Sequence, residues 1–181
     1  MECPLEVTSI LIFILGTLGA LVFTWRFSIK AKRPHGIPRF FSFECILLLV
    51  LLNGPVWFKQ TLMWNQLISW ILLFISIVYA ATGFYLLWVI GKPKGDFENT
   101  SKLVVVGLYK FIRHPLYASL ILLGFGIFFK QITIETTALV LFNFFALIAT
   151  AKQEEKEMLI KFGEDYHAYM KRTKMFIPYI F

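Results

Sequence analysis

The chain repeatedly offers about twenty apolar residues in a row, and that pattern limits its fold more than any other feature. Val7 to Phe27 is interrupted only by Thr, Ser and Gly until Arg26, and Phe41 to Phe58 and Gln66 to Ile90 follow in the same style. At 1.5 Å per residue, a helix of that length crosses a hydrocarbon core of about 30 Å. Leu116 to Phe129 and Ile132 to Ala151, separated by Lys130-Gln131, read as a tight helical hairpin. The expected fold is therefore all-α: a polytopic membrane bundle of about five transmembrane helices in a single domain over residues 1–181, with three spans in 1–91. A hydrophobic fraction of 58% fits that class and not a water-soluble globule. A cleaved leader does not fit, since Glu2 and Glu6 precede the first run with no basic residue.

The connections carry the charge. Arg26, Lys30, Lys32, Arg33 and Arg39 surround Pro34, Gly36 and Pro38, which predict a connection that is not helical throughout. A second polar connection, Gly91 to Val106, holds Lys92, Lys94, Gly95, Asp96 and Glu98. Basic residues gathered in short loops orient a membrane protein, which places these loops and the carboxyl end in the cytoplasm and the amino terminus outside. The net charge of +7 therefore needs no nucleic acid to explain it. Trp57, Trp64, Trp70 and Trp88 lie near span ends, as an interfacial belt does. Cys3 and Cys45 have no metal-type spacing, so no metal site is expected.

Chemistry concentrates between residues 102 and 178. Gly107-Leu108-Tyr109-Lys110-Phe111-Ile112-Arg113-His114-Pro115-Leu116-Tyr117 sets an imidazole, a guanidinium and two phenols at the start of an apolar helix. The four residues before it, Leu103 to Val106, are too few to span and suit an extended segment over a ligand or against a helix. From Lys152 the pattern becomes a charged amphipathic helix to about Lys161, with Gly163 as its stop, followed by the polar segment Glu164 to Lys174. A hairpin returns the chain to its starting side. Arg113-His114 at its beginning should therefore face Glu154-Glu155 at its end, a pairing of charges able to hold a zwitterion. Singly, these residues also read as juxtamembrane anchors and as a solvated first helical turn.

Lys102-Leu103-Val104, Gly107-x-Tyr109, Arg113-His114-Pro115-x-Tyr117, Glu154-Glu155, Phe162-Gly163, Tyr166, Tyr169, Arg172 and Pro178, in that order, resemble the isoprenylcysteine carboxyl methyltransferase and phospholipid methyltransferase superfamily. The resemblance implies a cofactor-binding catalytic core in 92–181 that holds S-adenosyl-L-methionine. Its contacts would come from Leu103, Val104, Gly107, Tyr109, Arg113, His114, Pro115, Tyr117, Glu154 and Glu155, with Arg172 and Glu154 serving catalysis. Arg172 would orient the acceptor, and a thiol or amine acceptor would lose its proton to Glu154 or His114. The implied partners are membrane lipids and a lipophilic acceptor: an isoprenylcysteine-type carboxylate, a phospholipid amine or a thiol. Prokaryotic carboxyl methyltransferases carry a histidine where Ser101 stands, and some members carry a basic residue at the position of Met175. Sterol-type reductases using NADPH resemble the same region, and a non-catalytic membrane scaffold would keep the same bundle.

Overall fold

The computed structural model describes residues 7–59, 61, 63–94 and 99–181. Glu2, Cys3, Glu6, Gly95, Asp96 and Glu98 lie outside them. Six α-helices form, and no strand occurs among the described residues. They are α1 (Val7–Thr24), α2 (Gly36–Asn53), α3 (Trp64–Val89), α4 (Pro115–Phe128), α5 (Ile134–Phe162) and α6 (Glu164–Arg172).

Among the described residues, four helices are long and apolar enough to cross a membrane: α1 with the π-helical turn Trp25–Ile29 that continues it, α2 with its 3-10 extension Gly54–Val56, α3 and α5. The fifth expected span is the 14-residue α4, about 21 Å long and shorter than a hydrocarbon core. His114 and Pro115 fix its start and the Lys130 turn follows its end, so it cannot lengthen. The change of character at Lys152 does not interrupt the helix. α5 runs unbroken for 29 residues, about 43 Å, so its apolar part and its charged part are one rod. Nothing in Lys152-Gln153-Glu154-Glu155-Lys156 opposes helix, and only side-chain polarity changes there. The rod starts on a Thr133–Thr136 capping box and stops at Gly163, whose φ of 54° suits glycine.

α2 also starts a turn earlier than Phe41. Pro34 and Pro38 do not prevent this, since Pro38 stands in the first turn, where its missing N–H leaves no bond unmade. Gly36 presses onto the π-helical turn so closely that a Cβ there would lie 2.1 Å from Ser28 Cβ.

Within the apolar layer, small residues and single hydrogen bonds join the helices. A Cβ on Gly124 would lie 2.5 Å from Asn143 Nδ2, and one on Gly126 2.9 Å from Leu73. The Ser42 hydroxyl donates to Asn143 Oδ1 (2.6 Å), Ser69 to Gly126 O (2.7 Å) and Ser76 to Ser119 O (2.9 Å). At the far end Lys130 is fully buried, its Nζ 3.6 Å from the Trp70 ring centroid and 3.3 Å from Gln66 Oε1. A side chain read as part of a hairpin turn is thus packed with its amino end over an indole.

Candidate functional site

Gly107 turns the chain into the site. Its φ is +59°, and a Cβ would meet Leu86 Cδ1 at 2.7 Å, so both backbone and space call for glycine. The 3-10 turn Gly107–Lys110 then buries Tyr109. Residues 111–114 next pair with the chain's last segment in a parallel bridge, Ile112 to Lys174. Lys174 N–H donates to Phe111 O (3.0 Å), Arg113 N–H to Lys174 O (2.8 Å) and His114 N–H to Met175 O (3.2 Å). Ile112, Tyr117, Leu147, Met175 and Phe176 close a buried cluster around this junction.

The polar groups expected to face one another do so. Arg113 Nε donates to Glu155 Oε1 at 2.6 Å, and His114 Nε2 lies 3.3 Å from the same oxygen. His114 Nδ1 is 3.8 Å from Glu154 Oε2. Arg113 Nη1 also donates to Thr173 O (2.6 Å) and Met170 O (3.3 Å), carbonyls at the carboxyl end of α6. Arg113 and Glu155 are therefore engaged with each other and with the fold, a different use from jointly holding a zwitterion. Glu154, one residue earlier, keeps a partly exposed carboxylate.

A cavity of about 470 Å³ lies beside this cluster. Its lining includes Tyr109, Arg113, His114, Tyr117, Glu154, Tyr166 and Tyr169, and also Phe23, Phe27, Phe43, Ala80, Phe84 and Leu87 from α1 and its π-helical continuation, α2 and α3. Leu103, Val104, Thr100, Met158 and Phe162 also line it. Of the residues expected from the sequence, Leu103, Val104, Tyr109, Arg113, His114, Tyr117 and Glu154 reach the cavity. Gly107, Pro115 and Glu155 stand behind its lining, shaping turn, helix start and charge pairing. Arg172 is exposed on the last turn of α6 and is not brought to the cavity.

Three contributions were missed. Tyr166 and Tyr169 share one face of α6, and their i,i+3 spacing was the available signal. The Tyr169 hydroxyl donates to Tyr109 O at 2.7 Å, fastening α6 to the 3-10 turn. Arg39, read only as a loop charge, is buried in the first turn of α2 and lines the cavity, with Nη2 donating to Ser28 Oγ at 2.7 Å. The apolar lining from α1 to α3 had no signal beyond hydrophobicity.

The phenols stay neutral. Burial first, and the Glu154 carboxylate second, push both Tyr109 and Tyr166 well above the ordinary value near 10. Burial also raises Tyr169, against a smaller opposing effect of Arg113. A smaller recess of about 130 Å³, lined by Arg33, His35, Asn99, Glu157 and Lys161, shares Glu154 and Met158 with the cavity. There His35 Nδ1 meets Glu157 Oε1 at 2.8 Å, tying the α1–α2 connection to α5.

Compared with known proteins, residues 8–173 match a sequence family described as "Protein of unknown function (DUF1295)". Over 76 residues the chain is 34% identical to Methanethiol S-methyltransferase 1 of Bradyrhizobium diazoefficiens. That stretch is 40% of this chain and spans about a quarter (25%) of the relative's length.

Proposed function

We propose, from a chain that belongs to the DUF1295 family and carries this cavity of mixed lining, that it is an integral membrane methyltransferase. Its donor is S-adenosyl-L-methionine, and its acceptor is a lipophilic or small apolar molecule. The relative named for methanethiol S-methylation favours a thiol over an isoprenylcysteine-type carboxylate or a phospholipid amine.

The observation that carries the reading is that one cavity is lined both by polar and phenolic side chains and by aromatic, apolar ones. The residues fit the donor. The partly exposed Glu154 carboxylate suits an ammonium or a ribose hydroxyl, and neutral tyrosine rings tolerate a sulfonium by cation–π attraction. A volume of about 470 Å³ falls in the range of small-molecule pockets. When bound, the donor supplies an electrophilic methyl group. The chain then has to align the acceptor with it and exclude water, and Phe23, Phe27, Phe43 and Phe84 are suited to both. The basic α1–α2 loop favours a site facing the cytoplasm, with acceptor arriving from the lipid.

The deciding test is calorimetric titration of the protein in detergent with S-adenosylhomocysteine, with NADPH in parallel. Saturable binding of the first alone is expected. Binding of NADPH alone points to a reductase, and binding of neither by folded protein points to a scaffold.

A further inference from the structure

We propose that His114 is the general base of the reaction, held by Glu155 and Arg113 in the tautomer that presents a bare Nδ1 to the acceptor; this rests on the methyltransferase reading above. Glu155 receives Arg113 Nε–H at 2.6 Å, a pairing that keeps it an ionised carboxylate. An ionised carboxylate can only accept, so His114 Nε2, 3.3 Å from the same oxygen, carries a proton. In the neutral ring the lone pair is then on Nδ1. That atom lies on the side of Glu154, and His114 and Glu154 both line the cavity. The 3.8 Å gap to Glu154 Oε2 is too long for a hydrogen bond, yet short enough to stabilise an imidazolium once it forms. A buried carboxylate fixing one ring nitrogen so that the other works is the logic of histidine-based proton transfer.

The acceptor this arrangement serves arrives protonated, and a thiol does. Nδ1 takes the S–H proton, and the sulfur attacks the donor's methyl carbon. A new S–CH3 bond forms as the methyl–sulfonium bond breaks, its electron pair staying on the donor sulfur to give the neutral thioether S-adenosylhomocysteine. The proton on His114 leaves past Glu154, whose recess continues away from the cavity. A carboxylate acceptor would leave Nδ1 without work.

The groups facing the ring set the pH dependence. On its own segment are Arg113 and Tyr117, the latter stacked at 5.6 Å between centroids. Glu154 and Glu155 face it from α5, and the neutral phenols of Tyr109, Tyr166 and Tyr169 line the same cavity. α2 contributes Arg39 to the cavity, while α1 and α3 contribute no titratable group among the described residues.

The test uses full-length protein in detergent, with methanethiol and octanethiol as probes and S-adenosylhomocysteine release as the readout. His114→Gln keeps an amide donor for Glu155 and removes the basic nitrogen. At saturating donor, turnover should fall about 10²-fold or more near pH 7 and recover as pH passes the thiol's own pKa. Independently of turnover, 15N spectra of histidine-labelled protein should show His114 protonated at Nε2 and bare at Nδ1. A pH-independent loss in His114→Gln at saturating donor, the opposite tautomer, or turnover of carboxylates in place of thiols would each overturn the assignment alone. Wild-type protein that binds no S-adenosylhomocysteine overturns the underlying reading and this one with it.

Discussion

Arg113→Lys separates a clamp from a ligand. The guanidinium makes three hydrogen bonds from two nitrogens: Nε to Glu155, and Nη1 to Thr173 O and Met170 O. The last two cap the carboxyl end of α6, where carbonyls lack helical partners. A lysine ammonium reaches the carboxylate but cannot also span to those carbonyls, since it lacks the planar fork. Hydrogen bonds to a charged group contribute about 1.5–3 kcal/mol each, and the bond to Thr173 is short while that to Met170 is long, so roughly 2–3 kcal/mol is lost. The loss falls on docking of the final segment onto residues 111–114, not on the four long helices. At 1.4 kcal/mol per tenfold, opening of that segment becomes roughly 30- to 140-fold more frequent. Hydrogen exchange at the Arg113, His114 and Lys174 amides, which all bond across the junction, reports it directly. Exchange that stays within about threefold of wild type, accompanied by a fall in S-adenosylhomocysteine affinity, would refute the clamp and make Arg113 a cofactor ligand.

Other consequences follow from the same geometry. Gly163→Ala places a side chain at φ 54°, ψ −128° with nothing within 4 Å, so backbone strain alone should cost about 1–3 kcal/mol, read as a lower thermal midpoint in detergent. Gly36→Ala should cost about 1–3 kcal/mol by overpacking Ser28, and Ser28→Gly added to it should recover part of the loss; equal midpoints for the single and double variants would refute the contact. Tyr109, Tyr166 and Tyr169 bind their protons more tightly folded than unfolded. Their contribution is thus complete below about pH 10 and lost as pH rises through the folded values. Ultraviolet titration should show these phenols ionising only with unfolding, and Tyr166→Phe should lessen the alkaline loss of stability.

Much of the bundle was legible because hydrocarbon allows few alternatives. The run Gln66 to Ile90 became α3, Trp64–Val89, with ends shifted by one or two residues. Asn53-Gly54-Pro55 ended α2 as proline chemistry requires. The meeting of Arg113-His114 with Glu154-Glu155 was legible because a hairpin leaves no other place for the returning chain. Less legible was what the meeting does: the ion pair satisfies itself and grips α6, a matter of ångströms and not of spacing.

Apolar run length therefore settled the class of fold and the turn that carries the motif, since each run must satisfy its own backbone once removed from water. Tertiary structure decided which side chains share the cavity. Arg39 and Phe23 stand far from His114 in sequence, and Tyr166, though among the motif residues, was given no place in the site. Their placement depends on how α1 leans on α2 and α2 on α5, on Gly36 against Ser28, and on a tail bound to residues 111–114. Helix formation is local, written in periodicity and caps, whereas packing joins distant residues through shape and single hydrogen bonds that no stretch of sequence displays.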